Sequence, residues 1–358
     1  MNARRLDRVT DVAIDVFMFL FRAIIIVVVV LGSILTLLGG TYTASDWFEL
    51  IGAGLTQGSI YAMIALGYTM VYGILRMINF AHGEIFMAGS FGGYFALIAM
   101  AQAGFLSENV VTSLIAIAFA ILAAMLVSVV LAVGVERVAY RPLRNSPTLV
   151  PLISAIGASL FLQYSFRGFF GSGIYAYPTP TFLQQPAPIP LLSMRWVDVL
   201  VVVASLAMMT GLYLFVMRSR TGTAIRAVSE DKGTAALMGI DANQAIVLTF
   251  VIGAAMAGAA GVLYGLAFIQ VTFAMGIFPG IKAFTAAVLG GIGSVPGALL
   301  GGLFLGLIEA IGPTLFLTGF GVPATNQLKD AVAFTMLVLV LVFRPSGILG
   351  ERVTRSRA

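Results

Sequence analysis

Residues 110–134 read VVTSLIAIAFAILAAMLVSVVLAVG, a run without one charged side chain and long enough to cross the hydrocarbon of a bilayer as a helix. Lipid cannot satisfy unpaired backbone amides, so a segment of this kind spans as a helix with its hydrogen bonds closed internally. Working outward from it, nine further apolar candidates lie near 17–38, 51–73, 84–104, 148–167, 196–217, 245–268, 282–293, 297–313 and 328–343. The segment at 282–293 is too short for a simple span. It carries Lys282 at its start and meets the next through Gly290-Gly291-Ile292-Gly293-Ser294-Val295-Pro296-Gly297, a break that suits short, re-entrant or discontinuous helices. The expected fold is an all-α polytopic transmembrane helix bundle of about 8–10 membrane segments, some short or broken.

The rest of the composition agrees. Of 358 residues, 60% are hydrophobic and 10% charged, with a mean hydropathy of +1.03, whereas a soluble domain carries about a quarter of its residues charged. This argues against a soluble enzyme. The formal charge of +5 and pI near 9.6 do not mark a nucleic-acid binder, because the basic residues sit in short loops between apolar runs and not in one patch. Cysteine is absent and there is one histidine, which excludes disulfides, thiol nucleophiles and a histidine-rich metal site. The first apolar run follows Arg4, Arg5 and Arg8 as a signal peptide would, but it is longer than a signal core and is read as retained.

Sorting Lys and Arg between the alternating sides of the ten-segment scheme gives a lopsided result. Fifteen fall on one side, from Arg4, Arg5 and Arg8 through Arg137, Arg141 and Arg144 to Arg357, and only Arg167, Arg195, Lys282 and Lys329 on the other, with Arg22 set aside as intramembrane or snorkelling. Both termini are therefore expected in the cytoplasm. The proline-rich stretch from Gly171 to Arg195 then reads as an ordered external loop. The largest cytoplasmic loop, Arg218 to Asn243, holds Arg220, Arg226, Glu230, Asp231 and Lys232 beside Ala235-Ala236-Leu237-Met238 and suits a short amphipathic helix that docks a partner.

Polar groups inside apolar runs are the candidate functional residues, because burying them unpaired in hydrocarbon costs several kcal/mol. Asn79, His82 and Glu84 stand together in Met77-Ile78-Asn79-Phe80-Ala81-His82-Gly83-Glu84 and either cap helices or line a gate. Gln57 and Tyr61, with Ser59, Tyr68, Thr69 and Tyr72, line a polar path or hydrogen-bond between helices. Glu309 lies inside its segment, either as a functional group or paired with a neighbouring helix or with a lysine of another segment. The stripe Gly253, Ala257, Gly261, Gly265 and its echo Gly293, Gly297, Gly301 read as helix packing. No G-x-x-x-x-G-K-[ST] loop, H-E-x-x-H pair or G-x-S-x-G elbow occurs, so no cofactor is expected in this chain and any ATP hydrolysis belongs to another subunit.

Leu55-Thr56-Gln57-Gly58-Ser59-Ile60-Tyr61-Ala62, Ala65-Leu66-Gly67-Tyr68-Thr69-Met70-Val71-Tyr72-Gly73-Ile74 and Ile78-Asn79-Phe80-Ala81-His82-Gly83-Glu84 resemble the permease subunits of branched-chain amino acid ABC importers, the H-type leucine-uptake permease above all. The likeness continues through Val135-Glu136-Arg137-Val138-Ala139-Tyr140-Arg141-Pro142-Leu143-Arg144, Phe284-Thr285-Ala286-Ala287-Val288-Leu289-Gly290-Gly291-Ile292-Gly293 and Arg344-Pro345-Ser346-Gly347-Ile348-Leu349-Gly350. The resemblance implies a transport subunit and not an enzyme. It further implies an inner-membrane importer of hydrophobic amino acids in which this chain pairs with a second permease, two cytoplasmic ATP-binding subunits and an external binding protein. A coupling loop is implied at Arg226, Glu230, Asp231 and Gly239, though its spacing departs from the Glu-Ala-Ala…Gly pattern of wider importers. Residues 1–46 then form an N-terminal extension with an extra membrane segment, 47–350 the permease domain and 351–358 a cytoplasmic tail. Related permeases for urea or short amides, and an ATP-independent channel or carrier, are the rival readings.

Overall fold

The structure, a computed structural model, describes residues 3–106, 109–144, 146–147, 149–189, 194–344 and 346–350, with the side chains of 3–15 and 17 set aside. Residues 351–358, read as a tail, and Pro190 lie outside the described residues. Helices dominate: α1 (Ala3–Gly39), α2 (Ala44–Leu75), α3 (His82–Gln102), α4 (Val110–Val135), α5 (Leu149–Phe170), α6 (Trp196–Arg218), α7 (Arg220–Glu230), α8 (Lys232–Leu237), α9 (Ala242–Phe268), α10 (Ile277–Gly290), α11 (Val295–Leu317) and α12 (Lys329–Phe343). Among the described residues nine helical stretches are long and apolar enough to cross a membrane, and α10 is shorter. The only strands among these residues are β1 (Tyr175–Ala176) and β2 (Gln270–Val271), an antiparallel pair with Tyr175 opposite Val271.

All ten expected apolar segments are helical; the first helix begins at Ala3, well before residue 17, and two further boundaries differ for local reasons. The α2 helix begins well before residue 51 because Thr43 and Asp46 form a capping box, the Thr43 amide donating to the Asp46 carboxylate at 2.7 Å. The α10 helix starts before Lys282, so that residue sits in a helix interior and not at its beginning. It stops at Gly290 because Gly291 turns to φ 105°. The freed carbonyls at its end are taken by a strap beyond α12, with the Ile348 amide donating to Leu289 and the Leu349 amide to Gly290, each at 2.9 Å.

The packing inverts what water would impose. On α4, Ala116, Ala120, Ala124, Ser128 and Ala132 recur every four residues and are buried, while Leu122, Leu126 and Val130 point outward and are exposed. Lipid supplies no hydrophobic force between helices, so association depends on close backbone approach, which small side chains permit. The same device joins α2 and α11, the most extensive helix pair. Gly54, Gly58 and Ala62 meet Ala310, Gly306 and Gly302 in antiparallel order. A Cβ on Gly306 would overlap the Gly58 backbone. Gly306→Ala is therefore expected to cost about 1–3 kcal/mol and to lower the melting temperature of the purified protein; wild-type melting would show that the two helices separate freely.

The expected stripe on α9 is packing, as read: Gly253 meets Gly67 of α2, Gly261 the backbone of α3 near Phe86 and Ser90, and Gly265 the ring of Tyr177. Helices α2, α3, α9, α10 and α11 thus form the centre, with α1, α4, α5, α6 and α12 around it. The α1 helix lies along α11, where the Gly319 amide donates to Thr36 Oγ1 at 2.8 Å, and Arg22 stacks over the Phe343 ring of α12 at 5.3 Å.

The stretch from Gly171 to Arg195 is ordered over its described part. The Arg195 guanidinium holds Asp198 at 3.0 Å, Gln184 at 3.1 Å and the Ala267 carbonyl at 3.3 Å. Tyr177 is buried beneath β1, which pushes its phenol pKa up, and its hydroxyl donates to the Ser90 carbonyl at 3.3 Å.

Candidate functional site

The six intramembrane candidates fall into two clusters, one on each side of α10. The first forms where α2 ends. Arg76 takes a left-handed conformation at φ 55°, its amide still bonded to the Tyr72 carbonyl, and the chain turns back into the bundle to begin α3 at His82. Asn79, His82 and Glu84 are all buried there. Asn79 Oδ1 accepts from the Tyr140 hydroxyl at 3.0 Å, across from the π-helical turn that closes α4. The His82 ring lies against Gly67 and meets the Tyr68 ring edge-on, with centroids 4.7 Å apart. Glu84 Oε1 is 3.5 Å from Ser159 Oγ, and its Oε2 faces Gly276 at the start of α10. The His82 amide donates to the Asn79 carbonyl at 3.1 Å, while the three side chains hydrogen-bond to other partners and not to one another. A narrow crevice beside them is lined by Tyr68, Tyr72, Asn79, Phe284 and Ile292.

The second cluster is ionic. Glu309 of α11 accepts from Gln57 of α2 at 2.8 Å and from Lys282 of α10 at 2.7 Å, both on Oε1, with Lys329 Nζ of α12 at 3.9 Å. Lys282 Nζ is also 2.7 Å from Asp330 Oδ1 of α12 and stands over the Tyr61 ring at 5.8 Å. Gln57 in turn donates to the Tyr61 hydroxyl at 2.6 Å. Both structural alternatives for Glu309 are observed, a hydrogen bond from a neighbouring helix through Gln57 and pairing with a lysine of another segment through Lys282. Four helices therefore converge on two buried, opposite charges. Removing either partner alone would strand the other, which is the costly event in a medium of low dielectric.

The coupling-loop candidates sit at the arginine-rich end. Instead of one amphipathic helix there are two, because Asp231 leaves helical geometry at φ −148° and caps α8 through the Gly233 and Thr234 amides at 2.7 and 3.1 Å. A bond from the Thr234 hydroxyl, and then those from the two amides, hold its carboxyl below the usual range. Helix α7 is anchored by buried Ile225 and Val228 and by the Ser219 cap, while Arg226 is exposed and bonds the Met217 carbonyl at 3.3 Å. Glu230 is exposed at the end of α7, and Gly239 turns the chain at φ 81° toward α9. Between them Leu237 and Met238 are 88% and 79% exposed. Lys232 has its pKa lowered by partial burial and then by the nearby Arg144 and Arg76.

Two contributors were not singled out from the sequence. Tyr140 and the Glu136–Arg144 ion pair tie the end of α4 to the α2–α3 turn and to α9, where Arg144 Nη1 reaches Asn243 Oδ1 at 2.6 Å. A glutamate and an arginine eight residues apart carry no helical signature when a π-turn and a proline intervene.

A family model described as "Branched-chain amino acid transport system / permease component" matches residues 50–341. The chain is 48% identical over 301 residues to the high-affinity branched-chain amino acid transport system permease protein BraD of Pseudomonas aeruginosa, covering 83% of this chain and 94% of that protein. It is 43% identical over 313 residues to the corresponding permease LivH of Escherichia coli (strain K12), with the same two coverages. Among solved structures, PsaBC from Streptococcus pneumoniae in complex with Fab superposes with a TM-score of 0.42 at 12% identity, over 84% of this chain and 92% of that one.

Proposed function

This chain belongs to the branched-chain amino acid transport permease family, and from that premise we propose that it is one membrane subunit of an ATP-driven importer for leucine, isoleucine and valine. It is a multi-pass membrane protein and a transport subunit. A second permease completes the pathway, two cytoplasmic subunits bind ATP, and an external binding protein delivers the solute. Residues 47–350 form the transport domain, and α1 is an additional membrane helix packed on α11.

The observation that carries the reading is the exposed Leu237-Met238 pair on a loop whose two helices are otherwise well anchored. Two large apolar side chains on a rigid cytoplasmic projection fit a protein partner that moves the loop, and the ATPase is that partner. The lopsided distribution of Arg and Lys supports a cytoplasmic side for this loop and both termini, in a bacterial inner membrane. ATP binding draws the loops of the two permeases together, and access to the pathway alternates between the two sides.

The deciding experiment is uptake of radiolabelled leucine, isoleucine and valine into proteoliposomes holding this chain, its second permease and ATPase, with the binding protein supplied. Saturable, ATP-dependent uptake is expected. Uptake of urea or amides in place of these would discard the solute, and ATP-independent flux would discard the machine.

A further inference from the structure

We infer that the Lys282–Glu309 pair is the site at which the transported amino acid is held by its two charges, an inference that rests on the importer reading above. An amino acid presents a carboxylate and an ammonium a few ångströms apart, and both must be met where water is scarce. Among the described residues Lys282 is the one cation buried in the bundle. Its ammonium divides between Glu309 and Asp330 at 2.7 Å each. Glu309 gathers its partners on Oε1, whereas its Oε2 is shut off from solvent and has no hydrogen-bond partner among the described residues. A buried carboxylate with one oxygen uncommitted is an unfilled position for a donor, and an ammonium group fills it.

Charge neutrality explains why such a pair suits a zwitterion. Lys282 and Lys329 balance Glu309 and Asp330. When an amino acid enters, its carboxylate takes a position on Lys282 and its ammonium a position on Glu309. Each ion gains an opposite partner, and no charge is left alone. Urea or a primary amide brings no charge to either ion. The cluster also reaches the surface of the protein. It runs from Lys329 and Asp330, whose side chains are 49% and 43% exposed, to the buried Glu309, Gln57 and Tyr61. The helix that carries Lys282 is too short to span and is bounded by non-helical stretches on both sides, so it has freedom to adjust to a solute.

The test is equilibrium binding of radiolabelled leucine to the purified complex of both permeases and the ATPase in lipid nanodiscs, without binding protein. Lys282→Met and Glu309→Gln are expected to weaken binding at least tenfold. Asp330→Asn, at a half-exposed position that the fold tolerates, frees Lys282 of one carboxylate and is expected to tighten binding about threefold or more, a change that a purely structural ion pair does not produce. Unchanged affinity in all three variants overturns the inference, and so does an absence of leucine binding in a wild-type complex that still takes up leucine with ATP. Absence of leucine uptake by the wild type would instead fault the importer reading. If Lys282→Met and Glu309→Gln fail to assemble, the Asp330→Asn affinity decides alone.

Discussion

Arg144→Ala is expected to cost ~3–5 kcal/mol, enough to remove most of the folded protein, because it leaves Glu136 buried without its counter-ion. The Glu136 side chain is fully shielded from solvent and Arg144 is its salt-bridge partner. The arginine also reaches Asn243 at 2.6 Å, so it closes the end of α4 onto the first turn of α9. Two causes of instability therefore need separating. If the stranded carboxylate dominates, Glu136→Gln in the same chain should restore much of the loss, since a neutral amide is far cheaper to bury than an ion. If the lost bridge to Asn243 dominates, the double variant will be no better than the single one. Thermal melting of the three proteins in one detergent distinguishes these, and equal melting of wild type and Arg144→Ala would refute the whole account. A second signal accompanies it: Arg144 helps hold the Lys232 pKa down, so its removal should raise that pKa, which a titration of Lys232 reactivity toward an amine reagent would follow.

The helices were legible in the sequence because lipid imposes a simple rule, and runs such as 110–134 leave few alternatives. Their ends were less so. The start of α2 rests on Thr43 and Asp46, which lie before the apolar run, and the stop of α10 rests on one glycine at φ 105°. The buried polar residues were visible as anomalies, yet their partners were not. Glu309 and Lys282 are 27 residues apart and Gln57 is 252 from Glu309. Close packing of α11 against both α2 and α10 through small residues brings them together. Periodicity shows which face of a helix is small without naming the helix that covers it. Asn79, His82 and Glu84 stand close in sequence and are all buried at one turn, but Tyr140, which binds Asn79, comes from a π-turn that no local pattern announces.

Leu237→Asp with Met238→Asp is expected to abolish ATP-dependent uptake while leaving the permease folded. Both side chains are almost wholly exposed, so nothing within this chain loses a contact. The loop that presents them is held independently, by Ile225 and Val228 beneath α7 and by the Asp231 cap of α8. Apolar residues at the centre of an interface contribute about 2 kcal/mol or more each when they are anchors, so the pair should weaken ATPase binding by roughly a thousandfold. Copurification of the ATPase with the variant permease measures this directly. A rival cause is available, because Leu237 and Met238 also suit insertion into the membrane interface near the basic loop. In that case the aspartates would change how the loop sits on lipid but spare the complex, and the ATPase would copurify at the wild-type level. The conservative exchange Leu237→Met with Met238→Leu should leave both binding and uptake intact, since an apolar pocket accepts either side chain at a cost of about 1 kcal/mol. Loss of uptake with full ATPase retention would place the function of these residues in transmission of the stroke, and an unaffected uptake would remove them from the coupling machinery altogether.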